Sequence, residues 1–141
     1  MDLQAARDEY SLALRSAQKE YKECIAAGKS PNPAVLDEML EDSAADASVD
    51  IGLVEIPAER IVGTKSAGRI TSFTPTFQPL LKPGSEFALK WTTLCAAHLG
   101  DTGIRDPISC YEYLGNFYVE EGNKRVSVLR HFGAARIPGN V

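Results

Sequence analysis

The stretch from Phe117 to Gly133 constrains the fold more than any other part of the chain, because it sets a strand, a glycine turn and a capped helix side by side. Phe117-Tyr118-Val119 reads as a short buried strand, and Gly122-Asn123 as the turn that ends it. Val126, Val128 and Leu129 carry apolar surface into a short helix, which Gly133 can close in the left-handed conformation. Lys124 and Arg125 fall in the first turn of that helix. There the helix dipole disfavours each cation by roughly 0.3–1 kcal/mol. Free amides at a helix start, joined by two cations, make an anion site, most simply for a phosphate. In the competing reading both side chains bend into water or pair with Glu120 and Glu121.

Upstream, residues 3 to 27 read as one amphipathic helix. Leu3, Ala6, Tyr10, Leu14, Ala17, Tyr21 and Cys24 or Ile25 recur at three- and four-residue steps, and Gly28 stops the pattern. Such a stripe packs on a domain core or on a second copy of the chain, which would make a homodimer. Its polar face mixes both signs of charge, which argues against a membrane surface. Ser30-Pro31-Asn32-Pro33 is a turn, and Ala34 to Leu40 a short helical stretch. The acidic run Glu41 to Ser48 reads as a mobile linker. It divides an N-terminal arm, residues 1–48, from a module spanning 49–141.

Within that module Leu53 to Ile56 is a strand ending at Pro57, and Arg60-Ile61-Val62 extends it or starts the next turn. Gly63 to Pro83 is rich in Gly, Pro, Thr and Ser and carries no clear element. A loop of that length in a small domain is more often functional or mobile than a plain connection. A second amphipathic helix spans about Glu86 to Leu99, with Phe87, Trp91, Leu94, Cys95 and His98 on one face. Ile108 to Tyr113 is a strand, and Leu114-Gly115-Asn116 a hairpin turn into Phe117-Tyr118-Val119. Ala135-Arg136-Ile137-Pro138 starts a last extended segment, and a chain that stops inside a strand is expected to be part of a longer protein. The order strand, helix, hairpin, helix, strand gives an α+β class with a small mixed sheet and flanking helices.

Composition removes several alternatives. At 141 residues, 44% hydrophobic and 24% charged, the chain is long and apolar enough for one packed domain. A net charge of −4 speaks against a broad phosphate-neutralising surface for non-specific DNA binding, while leaving room for a local basic pocket. Cys24, Cys95 and Cys110 are odd in number and lack CxxC spacing, so neither a disulfide framework nor a zinc knuckle is expected. No apolar run approaches membrane length and no signal pattern opens the chain, which predicts a cytoplasmic protein.

Taken in order, these parts resemble the N-terminal domain of ParB-type partition proteins (the ParB-like nuclease domain) and the wider ParB/sulfiredoxin fold. The resemblance runs through Ile56-Pro57, Arg69, the helix of Trp91 and Leu94, and Gly103-Ile104-Arg105-Asp106-Pro107-Ile108. It continues through Gly122-Asn123-Lys124-Arg125 and Gly133-Ala134-Ala135-Arg136-Ile137-Pro138, covering about residues 52 to 141. The departures are a Gly-Asn-Lys-Arg box where partition proteins carry Gly-Glu-Arg-Arg, an insertion at Phe73 to Pro83, and the added N-terminal helix and linker. No helix-turn-helix follows, so any DNA association would run through a region beyond Val141. Sulfiredoxin chemistry is set aside, since its nucleophilic cysteine is replaced by Asn123.

The resemblance implies a nucleotide- or phosphate-binding regulatory module taking a nucleoside triphosphate, CTP or ATP, with Mg²⁺. Gly122, Asn123, Lys124 and Arg125 would hold one phosphate; Arg69, with Lys65 and Thr64, would hold another part of the ligand. Glu121 would position Mg²⁺ or a water. The alternative is a phosphotransferase or nuclease drawing a carboxylate from Glu55, Glu59 or Glu121. Each residue also has a plainer reading. Arg69, Lys65 and Thr64 can be solvated loop residues, and Glu121 a partner of Lys124 or Arg125. His98 and His131 read as structural, and Trp91 with Tyr111, Tyr113, Phe117 and Tyr118 as core and cross-strand pairs.

Overall fold

Two helices with apolar residues at three- and four-residue steps meet along their small side chains. In the computed structural model, which describes residues 3–40, 48–100 and 106–141, α1 (Leu3–Ala26) buries Ala6, Tyr10, Ala13 and Ala17. Against it lies α2 (Glu86–Leu99), which buries Phe87, Ala88, Trp91, Cys95 and Ala96. Three alanines on α1 allow the close approach, and the Tyr10 ring meets Trp91 edge-on at 5.1 Å. Ser85 caps α2, its hydroxyl accepting from the Ala88 amide at 3.1 Å. The stripe read along α1 is narrower than its sequence period: Leu3, Tyr21 and Ile25 stay exposed.

The six strands are β1 (Ala34–Val35), β2 (Leu53–Pro57), β3 (Ile61–Thr64), β4 (Ile108–Tyr113), β5 (Asn116–Glu121) and β6 (Arg136–Asn140). They form one mixed sheet in the order β1-β3-β5-β4-β6-β2. β4 and β5 are the expected hairpin. Leu114 and Gly115 both take positive φ, 52° and 86°, the backbone of a two-residue turn that matches strand twist. Between the first two strand neighbours, a Cβ on Gly63 would stand 2.3 Å from the Ala34 carbonyl oxygen, so only glycine lets β1 pair with β3 there. α3 (Asn123–His131) follows β5 and closes the core, where Trp91 Nε1 donates to Ser127 Oγ at 2.9 Å with both residues fully buried.

The helical stretch expected at Ala34 to Leu40 is instead β1 followed by a short 3₁₀ turn, Leu36–Glu38. Pairing with Gly63 and Thr64 draws Ala34 and Val35 into extended backbone, and Leu36 turns into the core. The N-terminal arm was expected to be separable, yet α1 is part of the same core cluster as the sheet. It docks on the Phe73 to Pro83 insertion. Tyr10 Oη donates to the Leu81 carbonyl at 2.5 Å, and the Glu20 carboxylate accepts from the Thr74 and Thr76 hydroxyls. The N-terminal helix and the segment 73–83 therefore hold one another. The rest of the acidic run, Glu41 to Ala47, and the Gly103-Ile104-Arg105 part of the resemblance lie outside the described residues.

Candidate functional site

Gly122 turns the chain from β5 into α3 with φ at +108°, and a Cβ added there would lie 2.6 Å from Ile108 Cγ2. The turn thus requires glycine twice over, for backbone conformation and for space. The first amide to bond back is that of Val126, to the Gly122 carbonyl at 3.0 Å. The amides of Asn123, Lys124 and Arg125 precede it, and no side chain caps the helix. Positive dipole and orphan donors face the same cleft, of about 660 Å³, that Gly122 to Arg125 line.

Cations reach this cleft from three elements. Lys124 comes from α3, Lys90 from α2, and Arg69 from the 3₁₀ turn Ala67–Ser72. Lys124 Nζ stands 5.6 Å from the centre of the Phe87 ring, a cation–π contact. Burial pushes the Lys124 ammonium below its usual pKa, and the neighbouring charges of Arg69 and Lys90 push the same way, with Glu86 opposing them. Lys90 pairs with Glu86 at 3.1 Å, an i,i+4 bridge that holds the Glu86 carboxyl below its ordinary range. Glu120 and Glu121 line the other side. The side-chain oxygen of Asn123 is buried with no hydrogen-bond partner among the described residues.

Arg125 lines the cleft and is also bonded to backbone. Its Nη1 donates to the Pro107 carbonyl at 2.9 Å and to the Asp106 carbonyl at 3.2 Å. The guanidinium latches the entry of β4 to the start of α3. Lys65 and Thr64 are not brought to the cleft. Thr64 is buried and donates to the Ser66 carbonyl at 2.7 Å, while Lys65 Nζ meets Asp37 at 3.3 Å and sits over the Tyr111 ring. Gly63 and Thr64, expected in a loop, form the end of β3, and Lys65 follows it directly.

Arg69, Glu121, Gly122, Asn123, Lys124 and Arg125 do line one cleft. Glu55 lies on β2, at the opposite edge of the sheet from β1, and Glu59 in the turn after it; neither lines the cleft. The residues that sequence reasoning missed are Lys90 and Glu86. They sit on the polar side of α2, and only their i,i+4 spacing marked them as a pair. Among the described residues no helix is long and apolar enough to cross a membrane, and no cluster of three or more His, Cys, Asp or Glu side chains is placed to hold a metal. Compared with models of protein families, with characterised proteins and with solved structures, the chain matches none.

Proposed function

We propose that the protein is a nucleotide- or phosphate-binding regulatory module of ParB type, built on the ParB/sulfiredoxin plan, and that the cleft at the start of α3 receives the phosphates. One observation carries the reading: Arg69, Lys90 and Lys124 converge on unpaired helix amides from three separate elements. Like charges gathered around a partly desolvated lysine raise the free energy of the empty cleft, and an anion between them reverses the sign of every term. Lys124 and Arg69 hold the phosphate oxygens with the amides of Asn123 and Lys124, and Lys90 exchanges part of its bridge to Glu86 for the ligand. Arg125 supports the cradle from behind.

The donors beside the cradle also fit Mg²⁺. Glu121 and the orphan Asn123 oxygen are hard oxygen ligands, and Mg²⁺ is usually held by one or two carboxylates together with ligand phosphates. Bound there, the ion would neutralise phosphate charge that the carboxylates otherwise repel. Glu121 is in this reading a metal-positioning residue, the role expected of it.

Thermal shift and calorimetric titration with CTP, ATP, GTP and tripolyphosphate, each with and without Mg²⁺, test the proposal. A ligand at about 100 times its dissociation constant adds roughly 2.7 kcal/mol to stability. Lys124→Ala and Arg69→Ala are expected to remove that gain while the unliganded melting temperature holds or rises. If no phosphate compound shifts the parent protein, the proposal is wrong.

A further inference from the structure

α1 carries apolar side chains that its own core does not use. Leu3, Arg7, Leu14, Gln18, Tyr21 and Ile25 recur at three-, four- and seven-residue steps and follow one flank beside the buried alanine stripe. Leu3, Tyr21 and Ile25 are 40–56% exposed, and Leu89 of α2, which walls the same groove as Leu3, is 67% exposed. Two recesses open along this flank. One, of about 370 Å³, lies between α1 and α2, with Leu3, Tyr10 and Leu89 in its walls. The other, of about 290 Å³, lies between Gln18, Tyr21 and Lys22 of α1 and the Leu80-Leu81 pair. Arg7 and Tyr21, one in each recess, are separated by about 21 Å at a rise of about 1.5 Å per residue, or about four turns.

Charge is sorted around the same helix. Two of its carboxylates are committed to the fold: Glu9 Oε2 meets His131 Nε2 at 2.6 Å, and Glu20 accepts from the Thr74 and Thr76 hydroxyls. Both lie on the flank opposite Tyr21. Arg7, Arg15 and Lys22 stand exposed on the apolar flank, and none of them has an ion pair among the described residues. Asp8, the next acid round the helix, accepts from Gln4, and Glu23 lies beyond it. The flank therefore offers apolar recesses edged by three cations, with the carboxylates set back from it.

We propose that this flank docks an acidic amphipathic helix presented by another protein, its apolar residues seated in the two recesses and its carboxylates on Arg7, Arg15 and Lys22. A helix lying along α1 brings side chains at i, i+7 and i+14 onto one face, which matches the four-turn spacing of the recesses. Charge and shape decide between occupants. The same flank of a second copy would set cations against cations. An anionic bilayer would neutralise the cations, but its plane does not enter recesses walled by α2 and by Leu80-Leu81. The surface is independent of the phosphate-binding reading, for it uses none of Arg69, Lys90 or Lys124.

Calorimetric titration of the full chain with synthetic helical peptides of about five turns, long enough to span both recesses, tests this. One peptide carries leucine at three- and four-residue steps with glutamate elsewhere; a second has lysine for glutamate, and a third serine for leucine. The glutamate–leucine peptide is expected to bind about tenfold tighter than either control, and to weaken as salt rises. Arg7→Glu, Arg15→Glu and Lys22→Glu combined should transfer binding to the lysine peptide, while the melting temperature and the response to tripolyphosphate stay those of the parent. Tyr21→Ser, at an exposed position, should weaken the leucine peptides alone. Absence of binding, equal binding of the glutamate and lysine peptides, or equal binding of the leucine and serine peptides overturns the proposal. Phosphatidylglycerol vesicles that hold the protein when the peptides do not would assign the flank to a membrane. Sedimentation showing a dimer that Tyr21→Ser disperses would assign it to a second copy, and either result also overturns the proposal.

Discussion

Replacing Arg125 by alanine separates support from ligand contact. The side chain holds two carbonyls, Pro107 at 2.9 Å and Asp106 at 3.2 Å. A hydrogen bond with one charged partner contributes about 1.5–3 kcal/mol. The longer bond adds little, and the side chain is only half-buried, so water replaces part of what is lost. The low end of the range, about 1.5–2 kcal/mol, is the appropriate figure for the pair. Deleting a cation from the first turn of α3 returns about 0.3–1 kcal/mol, because the helix dipole opposed it. The net loss is then about 1 kcal/mol, which for a domain of this size lowers the melting temperature by roughly 3–4 °C. Arg125→Lys keeps the dipole conflict but carries an ammonium that can bond both carbonyls from one nitrogen, as Nη1 does, so it should stay nearer the parent than the alanine variant. Paired thermal and urea melts read both variants. An alanine variant that melts at or above the parent, and has also lost nucleotide binding, would show that the guanidinium serves the ligand directly and that the latch is incidental.

Gly122→Ala combines a strained φ with a methyl pressed on the buried Ile108 side chain, and should cost about 2–5 kcal/mol in a urea titration. Burial pushes the Tyr10 hydroxyl from its usual 10.0 up to about 12. A raised pKa contributes stability that is full below pH 10 and is lost as pH climbs toward 12, so the parent should weaken steeply over that window. Tyr10→Phe should weaken less there, after losing about 0.5–1.5 kcal/mol at neutral pH with the bond to Leu81; equal alkaline limbs would refute the assignment. Cys95 and Cys110 are buried, with burial pushing both thiols up to about 11, whereas Cys24 is half-buried near the end of α1. A thiol reagent at pH 8 should therefore modify one cysteine quickly, and mass mapping should place it at Cys24.

The parts of the fold that were legible in the sequence are those with a period or a glycine to mark them. α1 and α2 showed helical spacing, the β4–β5 hairpin showed Leu114-Gly115, and α3 was bracketed by Gly122 and Gly133. β1 was not legible, because two residues carry no alternation and their extended backbone is dictated by a partner in another segment. The same limit explains the site. Gly122 to Arg125 are contiguous, so their meeting was readable, but Lys90 reaches the cleft only through the packing of α2, with Glu86 as its i,i+4 partner. Thr64 looked like a loop residue since β3 is short and hidden in a glycine-rich stretch, and the Asp37 partner of Lys65 is brought near only by the pairing of β1 with β3. Arg125 was readable as important, but its bonds to the Asp106 and Pro107 carbonyls were not, because a carbonyl latch leaves no charge pattern in a sequence.

The position of β6 sets the order in which this molecule can be built. β6 is the last strand along the chain yet an inner one in the sheet, parallel to β4 at Ile108–Gly139 and antiparallel to β2 at Leu53–Asn140. β3, β4 and β5 can assemble without it, while β2, which pairs with β6 alone, waits across nearly the whole intervening sequence. Contacts of that separation form late and slow the folding rate. On the ribosome, β2 emerges early with Val54 and Ile56 ready to pack and no neighbour on either side. It remains an unpaired apolar segment until the residues after Ala135 clear the exit tunnel. The cleft at the start of α3, formed by segments made before β6, would then take shape on a half-finished sheet.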